Sequence, residues 1–242
     1  MSSTSGIGVY AVEKRKGHYM YRHFIKRLID ICMSLLCIPF FAIIFVFVAP
    51  AIYLTDKGPV FYSADRLGKG GKFFRMLKFR SMRVNAPDLR NADGSTFNSS
   101  SDPRVTKVGR MIRKTSLDET PQIFNVLKGD MSIVGPRAHL TTKYHGWDSQ
   151  TDLQKKRMSV RPGITGYSQA YFRNSASSEE KEEQDAYYVD HVSFVLDVKI
   201  LVQTFLSIVR HKNIYSSEGK QAVGVYSSDK GEVVRIGEQK NG

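Results

Sequence analysis

The stretch ICMSLLCIPFFAIIFVFVAPAIYL, residues 31–54, decides how this chain is read, because it contains no charged residue. As a helix rising about 1.5 Å per residue it is long enough to cross a hydrocarbon core of roughly 30 Å. It begins too late and runs too long for a secretory leader, and no small-residue cleavage site follows it. A buried core helix would be unusually apolar. Pro39 lies inside the run and Pro50 near its end, and a proline in a helix removes a backbone donor and bends it. Both flanks are basic, with Lys14, Arg15, Lys16, Arg22, Lys26 and Arg27 before and Lys57, Arg66, Lys69, Lys72 and Arg75 after. Cationic flanks favour the cytoplasmic side. A true span strands one set outside, whereas a helix that enters, bends at Pro39 and leaves by the same face satisfies both. Both paths stay open, and a bend at membrane depth needs shielding for its freed backbone groups.

Working outward, the 242 residues suit one domain with appendages. A net charge of +13 points to an anionic partner, whether nucleic acid, acidic lipid or phosphorylated substrate, or else to plain solubility. Cys32 and Cys37 fall inside the apolar run with no metal spacing, and are expected as buried apolar filler. Residues 1–20 read as a flexible basic tail, 21–56 as the re-entrant membrane helix, 57–217 as a cytoplasmic-face domain and 218–242 as a flexible C-terminal tail. No internal repeat is visible.

Within the domain, GPVFYSADRLGKGGKFFRMLKFRSM reads as strand, turn and strand. Gly68-Lys69-Gly70-Gly71 lacks the spacing of a phosphate loop and marks the turn. Residues 85–103 read as a flexible surface loop. Residues 104–132 read as two helical pieces broken near TSLDETP, with Pro121 in the first turn of the second. IVGPRAHL reads as a turn segment, residues 141–160 hold an amphipathic helix, and RPGITG is a loop. EEKEEQDAYYVDH is an acidic helix. SFVLDVKILVQTFLSIVRH is an apolar-biased helix suited to the core or to an interface plane.

Asp118 and Glu119 fall at or near a helix start, where exposed N–H groups favour negative charge. A carboxylate there can hold Mg2+ or attack phosphorus. It can equally just complement the helix dipole. Lys78, Arg80, Arg110, Arg113, Lys114 and Arg137 surround the pair in sequence, and such groups bind phosphate or a lipid surface. The six histidines show no metal pairing, and no Ser-His-Asp signature is present. No nucleic-acid motif accompanies the charge.

Six blocks occur in order: KRLIDICMSLL, GPVFY, FRMLKFRSM, DPRVTKVGRMIRKTSLDETPQIFNVLKGDMSIVGPR, RPGITGYSQ and YYVDHVSFVLDVKIL. Together, from about Phe24 to about Ser217, they resemble the small monotopic phosphoglycosyl transferases, or bacterial sugar transferases. That resemblance implies an α/β fold, irregular and mostly helical, with a small β-hairpin, an N-terminal re-entrant membrane helix and interfacial amphipathic helices. It implies an Asp-Glu dyad at Asp118 and Glu119, with Mg2+ as cofactor. Asp118 would attack the sugar-bearing phosphate of a UDP-sugar, release UMP and pass the phosphosugar to undecaprenyl (polyprenyl) phosphate. Lys78, Arg80, Arg113, Pro136 and Arg137 form the implied substrate-binding set. Membrane lipids are implied partners, a homodimer is compatible, and nucleic acid is not a partner. The setting would be the bacterial inner membrane, with the site on the cytoplasmic face, at the first membrane step of a surface glycan.

The chain departs from the family at Ile38-Pro39, where Ser-Pro is usual, at Ala138 after Pro136-Arg137, and at Tyr167-Ser168 in RPGITGYSQ. Ser34, one turn before Pro39, is the nearest hydroxyl to the bend. Longer relatives carry a multi-span N-terminal domain that these residues do not include, so a minimal catalytic unit is expected.

Overall fold

A computed structural model describes residues 19–90, 97, 99, 101–141, 145–172, 176–210, 224–227 and 232–235. A short π-helical turn, Tyr21–Ile25, leads into α1, Lys26–Asp56. The helix runs on through Pro39 and Pro50 and ends at Lys57, whose φ of 54° is left-handed. The chain therefore does not unwind at either proline. Ser34 is buried, and its hydroxyl has no hydrogen-bond partner among the described residues, so it does not satisfy a backbone group freed by Pro39. Among the described residues, only this helix with its π-helical lead-in is long and apolar enough to cross a membrane.

One face of α1 packs on the domain and the other is bare. Phe41, Val48 and Ile52 bury against Phe79, Ile112 and Ile123, each buried side chain contributing roughly 1.5–3 kcal/mol. Phe41 stacks on Phe79 with centroids 5.8 Å apart and meets Phe124 edge-on at 5.0 Å. Leu28, Leu36, Phe40, Phe47 and Leu54 stay exposed. Cys32 and Cys37 are also exposed. They were expected as buried filler, but the helix turns them toward its bare side.

The hairpin forms as expected. β1, Phe61–Leu67, pairs antiparallel with β2, Phe73–Phe79, so that Tyr62 faces Lys78 and Phe61 faces Phe79. β3 is Leu89–Arg90. The helices α2, Lys107–Lys114, and α3, Gln122–Lys128, are separated by a 3-10 turn at Leu117–Glu119. β2 is an edge strand, and Asn125 of α3 takes the place of its missing neighbour. The Leu77 N–H donates to Asn125 Oδ1 at 2.9 Å, and Asn125 Nδ2 donates to the Arg75 carbonyl at 2.8 Å. These bonds satisfy ladder groups that would otherwise stay open.

Two segments expected as turn and loop are strands. β4, Ser132–Val134, pairs in parallel with β6, Gly163–Thr165, while β5, His139–Leu140, extends the hairpin sheet beside β1. The parallel pair needs glycine where it crosses: a Cβ on Gly163 would sit 2.1 Å from the Gly135 nitrogen. α4, Asp152–Arg157, the helix expected within residues 141–160, starts at a capping box on Thr151. α5, Tyr167–Tyr171, follows β6, and α6, Ser178–Asp190, is the acidic helix. α7, Phe194–Val209, buries Ile200 in the core and leaves Phe194, Val195, Val202, Phe205 and Val209 exposed.

The loop expected over 85–103 is pinned where it is described. Arg104 and Asp102 form a buried pair, with Nη2 2.7 Å from Oδ2. Arg104 also donates to the carbonyls of Pro87 and Phe97 and lies over the Phe97 ring. The expected flexible C-terminal tail also carries order: β7, Gly224–Ser227, and β8, Glu232–Arg235, form an antiparallel pair attached to β3. The Asp229-Lys230-Gly231 stretch between these strands is a turn signal that sequence reasoning passed over. Residues 1–18, and the rest of the tail after Arg210, lie outside the described residues.

Candidate active site

α2 begins at Thr106, whose hydroxyl accepts from the Gly109 N–H at 2.8 Å. Gly109 lets the helix touch the end of the hairpin, since a Cβ there would lie 1.8 Å from the Ser81 carbonyl oxygen. Ser116 then reverses the chain in a left-handed conformation, φ 59°. Such a residue costs roughly 1–3 kcal/mol where it is not glycine, and strain of this kind gathers at functional sites. The 3-10 turn that follows carries Asp118 and Glu119, just ahead of Pro121 and α3. The pair thus precedes the helix by a turn of its own, close to the start expected from sequence.

Lys78, on β2, donates to Glu119 Oε1 at 2.6 Å across 41 residues of chain. Asp118 is buried, and burial pushes its pKa up to about 6 against the attraction of Lys78, with Glu119 raising it further and Arg113 opposing. Arg113 is held by its Nε, which donates to Ser81 Oγ at 2.8 Å. Lys78, Arg113, Asp118 and Glu119 therefore form one cluster of two acids and two bases.

The other three expected residues stand apart. Arg80, one residue past β2, is buried and spends its donors on protein: both Asp56 oxygens at 2.6 Å and the Pro59 carbonyl at 2.5 Å. It ties the end of α1 to the hairpin and offers no open fork to a phosphate. Pro136 is buried and accepts from the Gly163 N–H at 2.9 Å. Arg137 is exposed. Its N–H donates to Asp185 Oδ2 at 3.2 Å, and its carbonyl accepts from Arg157. Among the described residues its guanidinium makes no bond to the dyad. Asp185 is buried and also receives Arg157 Nη2 and Ser168 Oγ, each at 2.7 Å. This network holds the backbone that presents Arg137.

Sequence reasoning missed Ser81, Asp56 and Asp185. Ser81 stood in the quoted KFRSM block, but nothing local showed that a hydroxyl there would anchor an arginine 32 residues on.

No group of three or more His, Cys, Asp or Glu side chains among the described residues could form a protein-only metal cage. Asp118, with Glu119 beside it, fits instead an ion that takes most of its ligands from substrate phosphates and water, the habit of Mg2+.

The model of the bacterial sugar transferase family matches residues 21–211. A galactosyl transferase, CpsE, of Streptococcus agalactiae is 40% identical over 195 residues, covering 77% of this chain and 42% of that protein. A UDP-glucose:undecaprenyl-phosphate glucose-1-phosphate transferase of Klebsiella pneumoniae is 40% identical over 195 residues, covering 78% and 41%. An uncharacterized sugar transferase of Bacillus subtilis, EpsL, is 40% identical over 190 residues, covering 78% and 90%. The chain spans less than half the length of the first two.

Proposed function

The chain belongs to the bacterial sugar transferase family, and on that premise we propose that it moves a sugar-1-phosphate from a UDP-sugar to undecaprenyl (polyprenyl) phosphate. The observation that carries this reading is the buried Asp118, set beside the Lys78–Glu119 ion pair and Arg113. A carboxylate out of water and ionised near neutral pH is a nucleophile with little hydration to shed, and fixed cations stabilise charge on a transferring phosphoryl group.

In the reaction, an Asp118 oxygen attacks the phosphorus that bears the sugar. The Asp–O–P bond forms, the bond to the bridging oxygen breaks, and UMP leaves with that electron pair. An oxygen of polyprenyl phosphate then attacks the same phosphorus and frees the carboxylate, giving the polyprenyl diphosphate sugar. Arg113 and Lys78 hold phosphate charge beside the dyad, while exposed Arg137 is free to swing to the donor. Mg2+, when bound at Asp118, supplies further neutralisation of the diphosphate. Arg80 positions the site by tying α1 to the hairpin.

Monotopic seating at the cytoplasmic face of the inner membrane fits the way α1 is fastened. Near its start, Arg27 donates to the carbonyls of Val126 and Leu127, and Asp30 accepts from Ser132 Oγ and the Ile133 N–H. At its end, Asp56 holds Arg80. Both ends grip one body, which favours re-entry over a crossing that parts them. Such an enzyme would open a surface-glycan pathway.

The test is UMP release by detergent-purified protein with Mg2+ and undecaprenyl phosphate across a panel of UDP-sugars. One donor should give strong release, with a phosphosugar adduct on Asp118 seen by mass spectrometry when the acceptor is withheld. Release that persists in Asp118→Asn at the parental rate would remove the nucleophile.

A further inference from the structure

An open cleft lies at the start of α1, and none of its lining residues belongs to the dyad cluster. Arg22, Lys26 and Arg27 enter it from the helix side, Lys69 from the hairpin turn and Arg161 from the approach to β6. Lys26 is matched by Asp197, with Nζ 2.5 Å from Oδ2. Asp30 lies in the wall, its Oδ1 engaged by Ser132 and Ile133. The remaining cations have only neutral hydrogen-bond partners or none. Arg22 donates to Ser159 Oγ at 3.1 Å, Arg27 to the Val126 and Leu127 carbonyls, and Arg161 Nε to the Gly129 carbonyl at 2.8 Å. Lys69 is exposed and pairs with no carboxylate among the described residues. Five cations thus face two carboxylates around one recess.

Uncovered apolar side chains stand close in sequence to the residues that line the recess. Met20, Phe24 and Leu28 are 56%, 67% and 63% exposed, and Phe194 and Val195 at the start of α7 are 56% and 61% exposed. Tyr21 joins the two sides, its ring edge-on to Phe194 at 6.3 Å. Exposed apolar residues flanking a cationic recess are the arrangement of a surface that sits at headgroup depth. There the abundant anion is a lipid phosphate, which basic groups attract and guanidinium groups bind in bidentate fashion.

We propose that the cleft among Arg22, Arg27, Lys69 and Arg161 binds the phosphate head group of an acidic glycerophospholipid, at a site separate from Asp118 and Glu119. The occupant would fix the depth and tilt of the domain at the bilayer, leaving the dyad open to the transferred phosphate.

The test uses the full chain in mixed micelles. Thermal unfolding is followed with added dioleoyl phosphatidylglycerol, dioleoyl phosphatidylcholine, undecaprenyl phosphate or inorganic phosphate. Phosphatidylglycerol should raise the midpoint by several degrees, and phosphatidylcholine and inorganic phosphate should not. The double variant Arg22→Gln, Lys69→Gln should lose most of that rise. Lys69→Gln alone, at an exposed position without a carboxylate partner, should lose part of it and covers the case in which the double variant fails to fold. Equal shifts with phosphatidylcholine, equal shifts in the variants, an equal effect of inorganic phosphate, or a response to undecaprenyl phosphate alone would each overturn the assignment. Because the readout is not turnover, these results stand whatever the sugar-transfer assay returns.

Discussion

Asp118→Asn should stabilise the protein while abolishing its proposed chemistry, and the size of the gain follows from burial. In the unfolded chain this carboxyl titrates at its ordinary value of 3.8, whereas in the fold burial pushes it up to about 6. Below the unfolded value both states hold the proton, and the side chain carries no charge penalty. As pH rises from about 4 to about 6 the unfolded state loses its proton first, so stability falls across that window. Above it the penalty is complete: a shift of roughly two units amounts to about 3 kcal/mol. Asparagine keeps the shape and cannot ionise. At pH 8 it should raise the unfolding midpoint by about 6–12 °C, taking roughly 2–4 °C per kcal/mol for a chain of this size. At pH 4 most of the gain should be gone. The assay is thermal unfolding of parent and variant in detergent at a series of pH values. An equal shift at pH 4 and pH 8, or a loss of stability at pH 8, would refute the idea that the charge on Asp118 is what the fold tolerates at a cost.

Two other outcomes follow from the same geometry. Lys78 draws the Asp118 pKa downward, so Lys78→Gln should move the acid limb of the kcat/KM profile to higher pH, and an unmoved limb would mean the lysine acts elsewhere. Arg80→Ala and Asp56→Ala should each cost roughly 1.5–3 kcal/mol, as expected for hydrogen bonds to a charged group, and the double variant should cost little more than either. Unfolding midpoints would show this, and a donor KM that rises in Arg80→Lys at a permissive temperature would return Arg80 to the phosphate-binding set.

Much was legible in the chain itself. The uncharged run 31–54 announces a long apolar helix because hydrocarbon thickness sets the length needed. The hairpin around Gly68–Gly71 follows from alternation and turn chemistry. The place of Asp118 and Glu119 just before a helix follows from Pro121, which is confined to such a position. Other features were illegible for stated reasons. Cys32 and Cys37 are as apolar as their neighbours, and only the face of α1 chosen by Phe41, Val48 and Ile52 decides that they point outward. β4 and β6 are three residues each, too short for a period to appear.

Sequence by itself therefore determined the inventory: one long apolar helix, a pair of adjacent acids at a turn, and a surplus of cations. Tertiary structure alone decided which cation meets which acid. The register of β2, held by Asn125, carries Lys78 to Glu119 and Arg80 to Asp56, although the two cations are two residues apart. Ion pairs depend on inverse distance and on exclusion of water, and neither quantity is written in the order of residues along a chain.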